Sequence, residues 1–457
     1  MKPTLPQGTR DFNAETIRKR NYIFSTIKNV FELYGFQPLE TPAMENLDTL
    51  MGKYGEEGDK LLFKILNNGL ERDEKHEQAL LDFEKVLEGK NVTGITERAL
   101  RYDLTIPFAR YVAMNYGQLS FPFKRYQVQP VWRADRPQKG RYREFYQCDA
   151  DVVGSNSLLN EVELLNIYSE AFRQLNIDVE IKINNRKILS ALAELCGGSE
   201  RINDITVPID KLDKIGWDKV KTELADRGLQ LLQIELIEQF ISFEGDNNAK
   251  INNLKSLIGT IEIGKKGIEE LEFLLAFQKH ENLVVDLTLA RGLNYYTGTI
   301  IEIKAKDVQM GSIGGGGRYD DLTGLFDVPN LPGVGISFGV DRIYDVMEEL
   351  KLFPSSLQTL TRVLFFNLGE TESKAAYNHL QQLRNKNIKA EIYHETAKFD
   401  KQFKYAERKN IPYIVIIGSK ELESGSCVIK NIKTGKQETI TQDELISFNF
   451  TPDLYNT

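Results

Sequence analysis

The stretch FPFKRYQVQPVWRADRPQKGRYREFYQCDADVVG, from Phe121 to Gly154, restricts the possible folds of this 457-residue chain more than any other. Two runs of strand-forming residues flank a polar turn, Ala134 to Gly140, that contains Pro137 and Gly140, and this predicts an antiparallel hairpin. Side chains alternate along a strand, so Arg133 and Asp135 share a face of the first arm, and Arg141, Arg143, Phe145, Gln147, Asp149 and Asp151 share a face of the second. Arginine forks match phosphate oxygens, and a ring such as Phe145 can stack on a purine. That surface suits a polyanion carrying a planar base. The plainer alternative is a solvated hairpin face laced with ion pairs, which leaves the clustering of Phe145 and Gln147 among the charges without a reason.

Three further stretches carry chemical signals. In DLTLARGLNYYTGTIIEI, strand character over Asp286 to Leu289 and Thr299 to Ile303 brackets an irregular connection holding Arg291, Asn294, Tyr295 and Tyr296, and connections of this kind often carry function. A hairpin turn braced by paired tyrosines is the structural alternative. In ERALRYDLTIPFARY, Asp103 and Thr105 stand two apart and would share a strand face, where a carboxylate and a hydroxyl could receive an ammonium group or simply make local turn bonds. In MGSIGGGGRYDDL the glycines lack the Lys-Ser/Thr ending of a phosphate loop, so they predict a strand over Gly311 to Gly317 that passes close to a ligand or another backbone. Gly333 to Gly339 reads as a small-residue strand entering a helix whose first turn holds Arg342.

Composition narrows the function. With 58 Lys and Arg against 66 Asp and Glu, the net charge of −8 argues against a mainly electrostatic nucleic-acid binder, so any RNA would be held by local patches. Cys148, Cys196 and Cys427 lie far apart and suggest neither a disulfide framework nor a zinc site. The four histidines show no i, i+4 pair of the kind a helix-borne metal site uses. Arginines, carboxylates and bound ions are the expected chemical agents. The start MKPTLPQGTRDF has no targeting character, and no run of about 18 apolar residues occurs, so a cytoplasmic protein without a membrane partner is expected.

The organisation follows the texture of the chain. Thr16 to Tyr34 has helical spacing and ends at Gly35; GFQPLETPAME reads as a strand broken by Pro38 and Pro42, suited to an edge and to a subunit contact. Glu56 to Gly89 reads as a polar surface excursion. The main body spans 1–350, interrupted over 186–280 by Leu-, Ile-, Lys- and Glu-rich segments that predict a helical insertion. After the linker FPSSLQT, residues 361–457 alternate strands and helices, an α/β pattern, and carry a charge of +2 against −10 for the remainder.

Together these stretches resemble the histidyl-tRNA synthetase family of class II aminoacyl-tRNA synthetases, over nearly the whole chain. The first helix with GFQPLETP, the Arg133 to Asp151 hairpin and GVGISFGVDR resemble the three class motifs; RGLNYYTG and GGGGRYD resemble the two signatures of the histidine enzyme, and PQGTRDF its opening. The resemblance implies an α+β fold: an antiparallel class II sheet flanked by helices, a helical insertion domain and a C-terminal α/β anticodon-binding domain. It also implies a homodimer through the first motif, and ATP, Mg2+, L-histidine and tRNA(His) as reactants and partners.

Carried over by position, the resemblance gives Arg133 the α-phosphate and Arg141 the γ-phosphate. Asp135 faces the adenine amino group, and adenine lies between Phe145 and Arg342. Asp103, Thr105, Gln147 and Asp151 line the histidine pocket with Tyr295 and Tyr296 around the imidazole; Arg133 and Arg291 act on the reacting carboxylate and α-phosphate. The turn bearing Arg136, Gln138 and Lys139 approaches the acceptor end of the tRNA. Two positions depart from the family: Asn294 replaces an acidic residue, and Asp135 is shorter than the usual Glu. The number and ligands of the metal ions are not given by the resemblance. A synthetase-like regulatory subunit of histidine biosynthesis, which generally lacks the terminal domain, is the alternative within the fold.

Overall fold

A computed structural model describes residues 2–51, 60–138, 140–277, 282–290, 296–357 and 360–450. Two compact units emerge from it: residues 1–11 with 20–352, and residues 12–19 with 353–457.

In the first unit the strands are, in chain order, β1 (Gln37–Pro38), β2 (Met44–Asn46), β3 (Phe63–Ile65), β4 (Arg98–Leu100), β5 (Phe123–Trp132), β6 (Glu144–Val153), β7 (Val179–Asn185), β8 (Leu283–Val285), β9 (Thr299–Ala305), β10 (Gly314–Asp320) and β11 (Pro332–Gly339). Among the described residues, eight of them form one sheet in the order β1-β5-β6-β11-β10-β9-β7-β8. Neighbours run antiparallel except at the two margins, where β1 joins β5 and β8 joins β7 in parallel. The predicted hairpin forms its centre, with β5 and β6 in register from Phe123 opposite Val153 to Trp132 opposite Glu144.

The glycine-rich strand is explained by its neighbours. A Cβ at Gly316 would strike the carbonyl oxygen of Gly335 on β11, and one at Gly317 would lie 2.5 Å from the Thr299 carbonyl oxygen and 2.9 Å from the Tyr296 ring. Only strands without side chains approach one another and a packed aromatic ring so closely. These glycines therefore serve sheet packing.

The opposite face of the sheet is sealed by helices. Phe338 of β11 meets Tyr168 and Phe172 of the Leu159–Gln174 helix at ring-centroid distances of 4.6 and 5.5 Å, and Phe31 of the Ala14–Leu33 helix at 5.7 Å. The Tyr168 hydroxyl is shared between the carbonyls of Gly315 and Ser337, each at 2.9 Å, which locks the helix to β10 and β11. Arg318 of β10 makes a bidentate, almost fully buried pair with Glu161 at 2.6 and 2.7 Å.

Several local expectations need correction. The strand expected over Asp286 to Leu289 lies upstream at β8, because the Asp286 carboxylate turns the chain by accepting from the Thr288 backbone at 2.9 Å and its hydroxyl at 2.6 Å. β8 and β9 are not paired with each other; both flank β7. The strand expected near Asp103 and Thr105 stops at Leu100, and Thr105 opens a helix, Thr105–Asn115, with the Asp103 carboxylate facing its Ile106 N–H at 3.4 Å. Residues 186–277 are occupied by helices; at the crossing of Arg186–Leu195 with Glu262–Phe277, a Cβ at Gly267 would stand 2.8 Å from Ile188.

The second unit holds a five-stranded sheet, with β12 (Val363–Phe365) parallel to β13 (Ala390–Ile392) and to β14 (Tyr413–Ile416). β15 (Ser426–Asn431) and β16 (Gln437–Thr441) add antiparallel at the β14 edge. Helices Glu370–Asn385 and Phe399–Arg408 connect the parallel strands.

Candidate active site

A cavity of about 520 Å³ opens over the face of the sheet opposite the aromatic cluster. Arg133, Asp135, Arg141, Phe145 and Gln147 from the hairpin, Tyr296 from the segment before β9, and Arg342 from the Val340–Glu349 helix all line it. Seven residues singled out from separate stretches of sequence thus share one space.

Each side chain is held by its surroundings. Arg133 donates through Nε to the Tyr102 carbonyl at 2.9 Å and sits 5.1 Å from the centre of the Phe145 ring. Arg342 donates to the carbonyls of Gly140 at 2.9 Å and Ser312 at 2.6 Å, so its guanidinium is fixed from two sides. Its neighbour Asp341 is buried, accepting from the Arg20 guanidinium at 2.6 Å, the Tyr146 N–H at 3.1 Å and Arg10. Arg10 in turn stacks on Tyr142, 3.2 Å from its centre. Asp341 ties the opening segment and the first helix to the helix that presents Arg342. Sequence inspection missed Arg10 and Arg20; Arg10 lies in PQGTRDF, which resembles the family's opening, and Arg20 in the first helix, which resembles part of the first class motif.

Asp151 is buried on β6 and does not line the cavity. It pairs with Arg125 across the hairpin, Oδ2 at 2.8 Å, and its Oδ1 accepts from the Tyr319 hydroxyl at 2.5 Å. Burial raises the Asp151 pKa, while Arg125 and the Tyr319 bond pull it down. The Tyr319 hydroxyl is pushed well above its ordinary range by burial and by the adjacent Asp151. Arg125 is completely buried, with Nε and Nη1 unpartnered among the described residues, and its guanidinium lies 4.1 Å from the Phe108 ring centre. Asp149 is buried beside it, its pKa lifted to about 7 chiefly by loss of solvent and opposed by Arg125.

Arg143 does not line the cavity with Arg141, Phe145 and Gln147. β6 begins only at Glu144; the Arg143 backbone N–H donates to the Gly8 carbonyl at 2.9 Å and its side chain to the Asp135 carbonyl at 3.2 Å. The regular ladder ends at Trp132 opposite Glu144, although the Arg133 N–H still donates to the Arg143 carbonyl at 2.9 Å. Asp103 is buried and Thr105 starts a helix; neither lines the cavity. Arg136 and Gln138 are exposed at the hairpin turn, which closes through reciprocal bonds between Gln138 and Arg141 at 3.1 and 2.9 Å. Arg291, Asn294 and Tyr295, like Lys139, lie outside the described residues.

No group of three or more His, Cys, Asp or Glu among the described residues is arranged to hold a metal. Glu302 and Asp135 line the cavity. One or two carboxylates suit a magnesium ion that arrives on a triphosphate and keeps several waters, rather than a resident ion in a protein cage.

An antiparallel sheet carrying a central arginine-bearing hairpin, followed by a strand that delivers an arginine on the next helix, defines the class II aminoacyl-tRNA synthetase core. The histidyl-tRNA synthetase profile matches residues 92–343, and the anticodon binding domain profile matches residues 362–449. A histidine--tRNA ligase of Phocaeicola vulgatus is 53% identical over 98% of each chain. The crystal structure of a histidyl-tRNA synthetase from Nostoc sp. PCC 7120 superposes with a TM-score of 0.81 at 31% identity, covering 98% of both chains. A Bacillus halodurans structure described as an ATP phosphoribosyltransferase regulatory subunit/histidyl-tRNA synthetase shares the fold at a TM-score of 0.69 and 21% identity, over 88% of this chain and 97% of that one. This chain belongs to the histidyl-tRNA synthetase family.

Proposed function

We propose that this chain attaches L-histidine to tRNA(His) in two steps driven by ATP, through a histidyl-adenylate. The observation that carries this reading is the convergence of Arg133, Arg141, Phe145, Gln147, Tyr296 and Arg342 on one cavity. The name of the 53%-identical relative points the same way. It also favours a ligase over a regulatory subunit without aminoacylation.

The histidine carboxylate is ionised at neutral pH and needs no base to attack. One of its oxygens forms the bond to the α-phosphorus of ATP as the bond to the bridging oxygen breaks, and pyrophosphate leaves with the electron pair. Catalysis of such a step rests on orientation and charge neutralisation. Arg133 holds the α-phosphate, Arg291 reaches it from the other side, and Arg141 takes the γ-phosphate. Adenine lies between Phe145 and Arg342, whose two backbone anchors keep its plane fixed, and Asp135 faces the adenine amino group. Magnesium, carried by the phosphates, adds further neutralisation when bound. In the second step a hydroxyl of the terminal tRNA ribose attacks the acyl carbon and AMP leaves.

Gln147, Asp151, Tyr295 and Tyr296 surround histidine, with Asp103 and Thr105 assigned to its pocket by resemblance. A site of buried polar groups rejects an apolar competitor, because the competitor would leave them unpaired. Arg136 and Gln138, in the exposed turn, approach the acceptor end, and the second unit reads the anticodon. The working form is a cytoplasmic homodimer, joined through the first helix and the GFQPLETP segment.

The deciding measurement is histidine-dependent exchange of pyrophosphate into ATP. Exchange with histidine alone among the amino acids is expected; well-folded protein that shows none overturns the reading.

A further inference from the structure

We infer that Arg10, in the opening segment, is a positioning residue for the nucleotide: it closes a ring of contacts that holds Arg141 from both sides and keeps it ready for the terminal phosphate of ATP. The assignment of that phosphate to Arg141 rests on the function proposed above.

The hairpin turn has little of its own to hold it in place. Its side chains are polar apart from Ala134, Pro137 and Tyr142, and a segment with few buried apolar contacts opens at low cost in free energy. Its order comes from outside. Both chain neighbours of Arg141 are anchored, and both anchors lead to the same place. On one side the Gly140 carbonyl accepts from Arg342 Nε at 2.9 Å. On the other, the Arg10 guanidinium lies over the Tyr142 ring, 3.2 Å from its centre. Arg10 also donates to Asp341, which adjoins Arg342 at the start of the Val340–Glu349 helix. The circuit Arg342, Gly140, Arg141, Tyr142, Arg10, Asp341 thus closes on itself, and Arg10 is the one member that comes from neither the hairpin nor that helix.

A second contact seats the opening segment against the same turn. The Arg143 N–H donates to the Gly8 carbonyl at 2.9 Å, and a Cβ at Gly8 would stand 2.8 Å from Arg143 Cγ and 2.9 Å from Pro137 Cγ, so the segment touches both arms. Asp341 does not depend on Arg10 alone, since Arg20 at 2.6 Å and the Tyr146 N–H at 3.1 Å also hold it. Loss of Arg10 therefore opens the ring around Arg141 without stranding a buried charge. Arg10 does not line the cavity, so its effect passes through Tyr142 and Arg141, which do. An Arg141 that is not held beforehand must be ordered when its ligand binds, and that ordering weakens the affinity. The loss falls on ligands that carry the terminal phosphate, ATP in one direction and pyrophosphate in the other. Histidine carries none and is spared.

The test uses the full chain and compares wild type with Arg10→Met, Tyr142→Leu, Tyr142→Phe and the double variant of Arg10→Met with Tyr142→Leu. In steady-state pyrophosphate exchange, the KM values for ATP and for pyrophosphate are expected to rise about tenfold in Arg10→Met and in Tyr142→Leu, through loss of the cation–ring contact and of the order it imposes. The KM for histidine should stay within about twofold of wild type, a split that general damage to the fold does not produce. Tyr142→Phe keeps the ring and should stay within about threefold of wild type for ATP. The double variant should be no weaker than the weaker single variant, because both break the same ring. A KM for ATP within about twofold of wild type in Arg10→Met, a KM for histidine that rises with it, Tyr142→Phe as weak as Tyr142→Leu, or losses that multiply in the double variant overturns the inference. If Arg10→Met does not fold, the two Tyr142 variants decide alone. Calorimetric titration with ATP should give the same order of affinities without turnover. Wild-type protein that binds ATP but shows no exchange with histidine overturns the ligase reading, and the ATP affinities of the variants still decide the role of Arg10.

Discussion

The Tyr319 hydroxyl donates to Asp151 Oδ1 at 2.5 Å, while Arg125 on the facing strand holds Oδ2 at 2.8 Å. One carboxylate therefore joins three strands, β5, β6 and β10. The GGGGRYD stretch supplies two buried anchors, Arg318 toward the helices and Tyr319 toward Asp151.

Replacing Tyr319 by Phe keeps the ring and removes only the donor. Asp151 Oδ1 would then be buried without that bond, a loss of about 1–3 kcal/mol. Urea denaturation should show a lower midpoint with an unchanged slope. An unchanged midpoint would mean that the bond contributes nothing to the fold.

Gly335→Ala tests the same carboxylate from β11. The new Cβ would collide with Asp151 Oδ1 and lie 2.6 Å from its Cγ, and the carboxylate cannot retreat without breaking the pair with Arg125. Overpacking of this kind costs about 1–3 kcal/mol. The KM for histidine is expected to rise about tenfold or more, since one pKa-unit-sized change in binding is about 1.4 kcal/mol. Wild-type kinetics in this variant would separate Asp151 from the histidine pocket.

Much of this arrangement can be read from the chain, and the remainder fails for identifiable reasons. The hairpin, its arginines and Phe145 were legible because side-chain alternation holds wherever two strands stay paired. Arg143 falls just past the regular ladder, where its carbonyl still accepts from the Arg133 N–H but its own N–H bonds the Gly8 carbonyl, a contact from a segment more than a hundred positions away. Arg125 was in fact accessible to the same reasoning. A hairpin turning near Gln138 places it opposite Asp151. Tyr319 and Ser337 were hidden because their partners come from strands brought together only in the folded sheet, Asp151 lying on β6 two strands away from Tyr319 on β10. Asp103 and Thr105 were misassigned to a strand because a helix start and a strand both accept an Asp two residues before a Thr, and the apolar run after Thr105 at helical spacing decides between them.

Glu161→Ala should damage the fold far more than any surface change. The substitution strands Arg318, whose side chain is almost completely enclosed, without its bidentate carboxylate. Removing one member of a buried pair typically costs about 3–5 kcal/mol. Replacing both, as Glu161→Met with Arg318→Met, should recover part of that loss, because no uncompensated charge remains. Thermal unfolding of the single and double variants measures this; a double variant less stable than Glu161→Ala would show that the pair is net stabilising beyond its geometry.

Asp149 gives a pH dependence whose sign follows from its environment. Arg101 and Arg125 favour its charged form, and Asp103 and Asp151 oppose it. Gln127, Ser337 and the Tyr168 hydroxyl complete its surroundings from β5, β11 and the Leu159–Gln174 helix. Burial prevails and places its pKa at about 7, against 3.8 for an exposed aspartate. Between these values the folded state binds the extra proton, so stability falls as pH rises from about 4 to 7 and levels off above. Each unit corresponds to about 1.4 kcal/mol, which sets an upper bound of roughly 4 kcal/mol for this group. Asp149→Asn does not titrate, so its stability relative to wild type should increase across that window and be greatest near pH 8. Urea unfolding of both proteins at pH 5 and pH 8 decides the point, and a difference that does not grow with pH would return Asp149 to the ordinary carboxylate range.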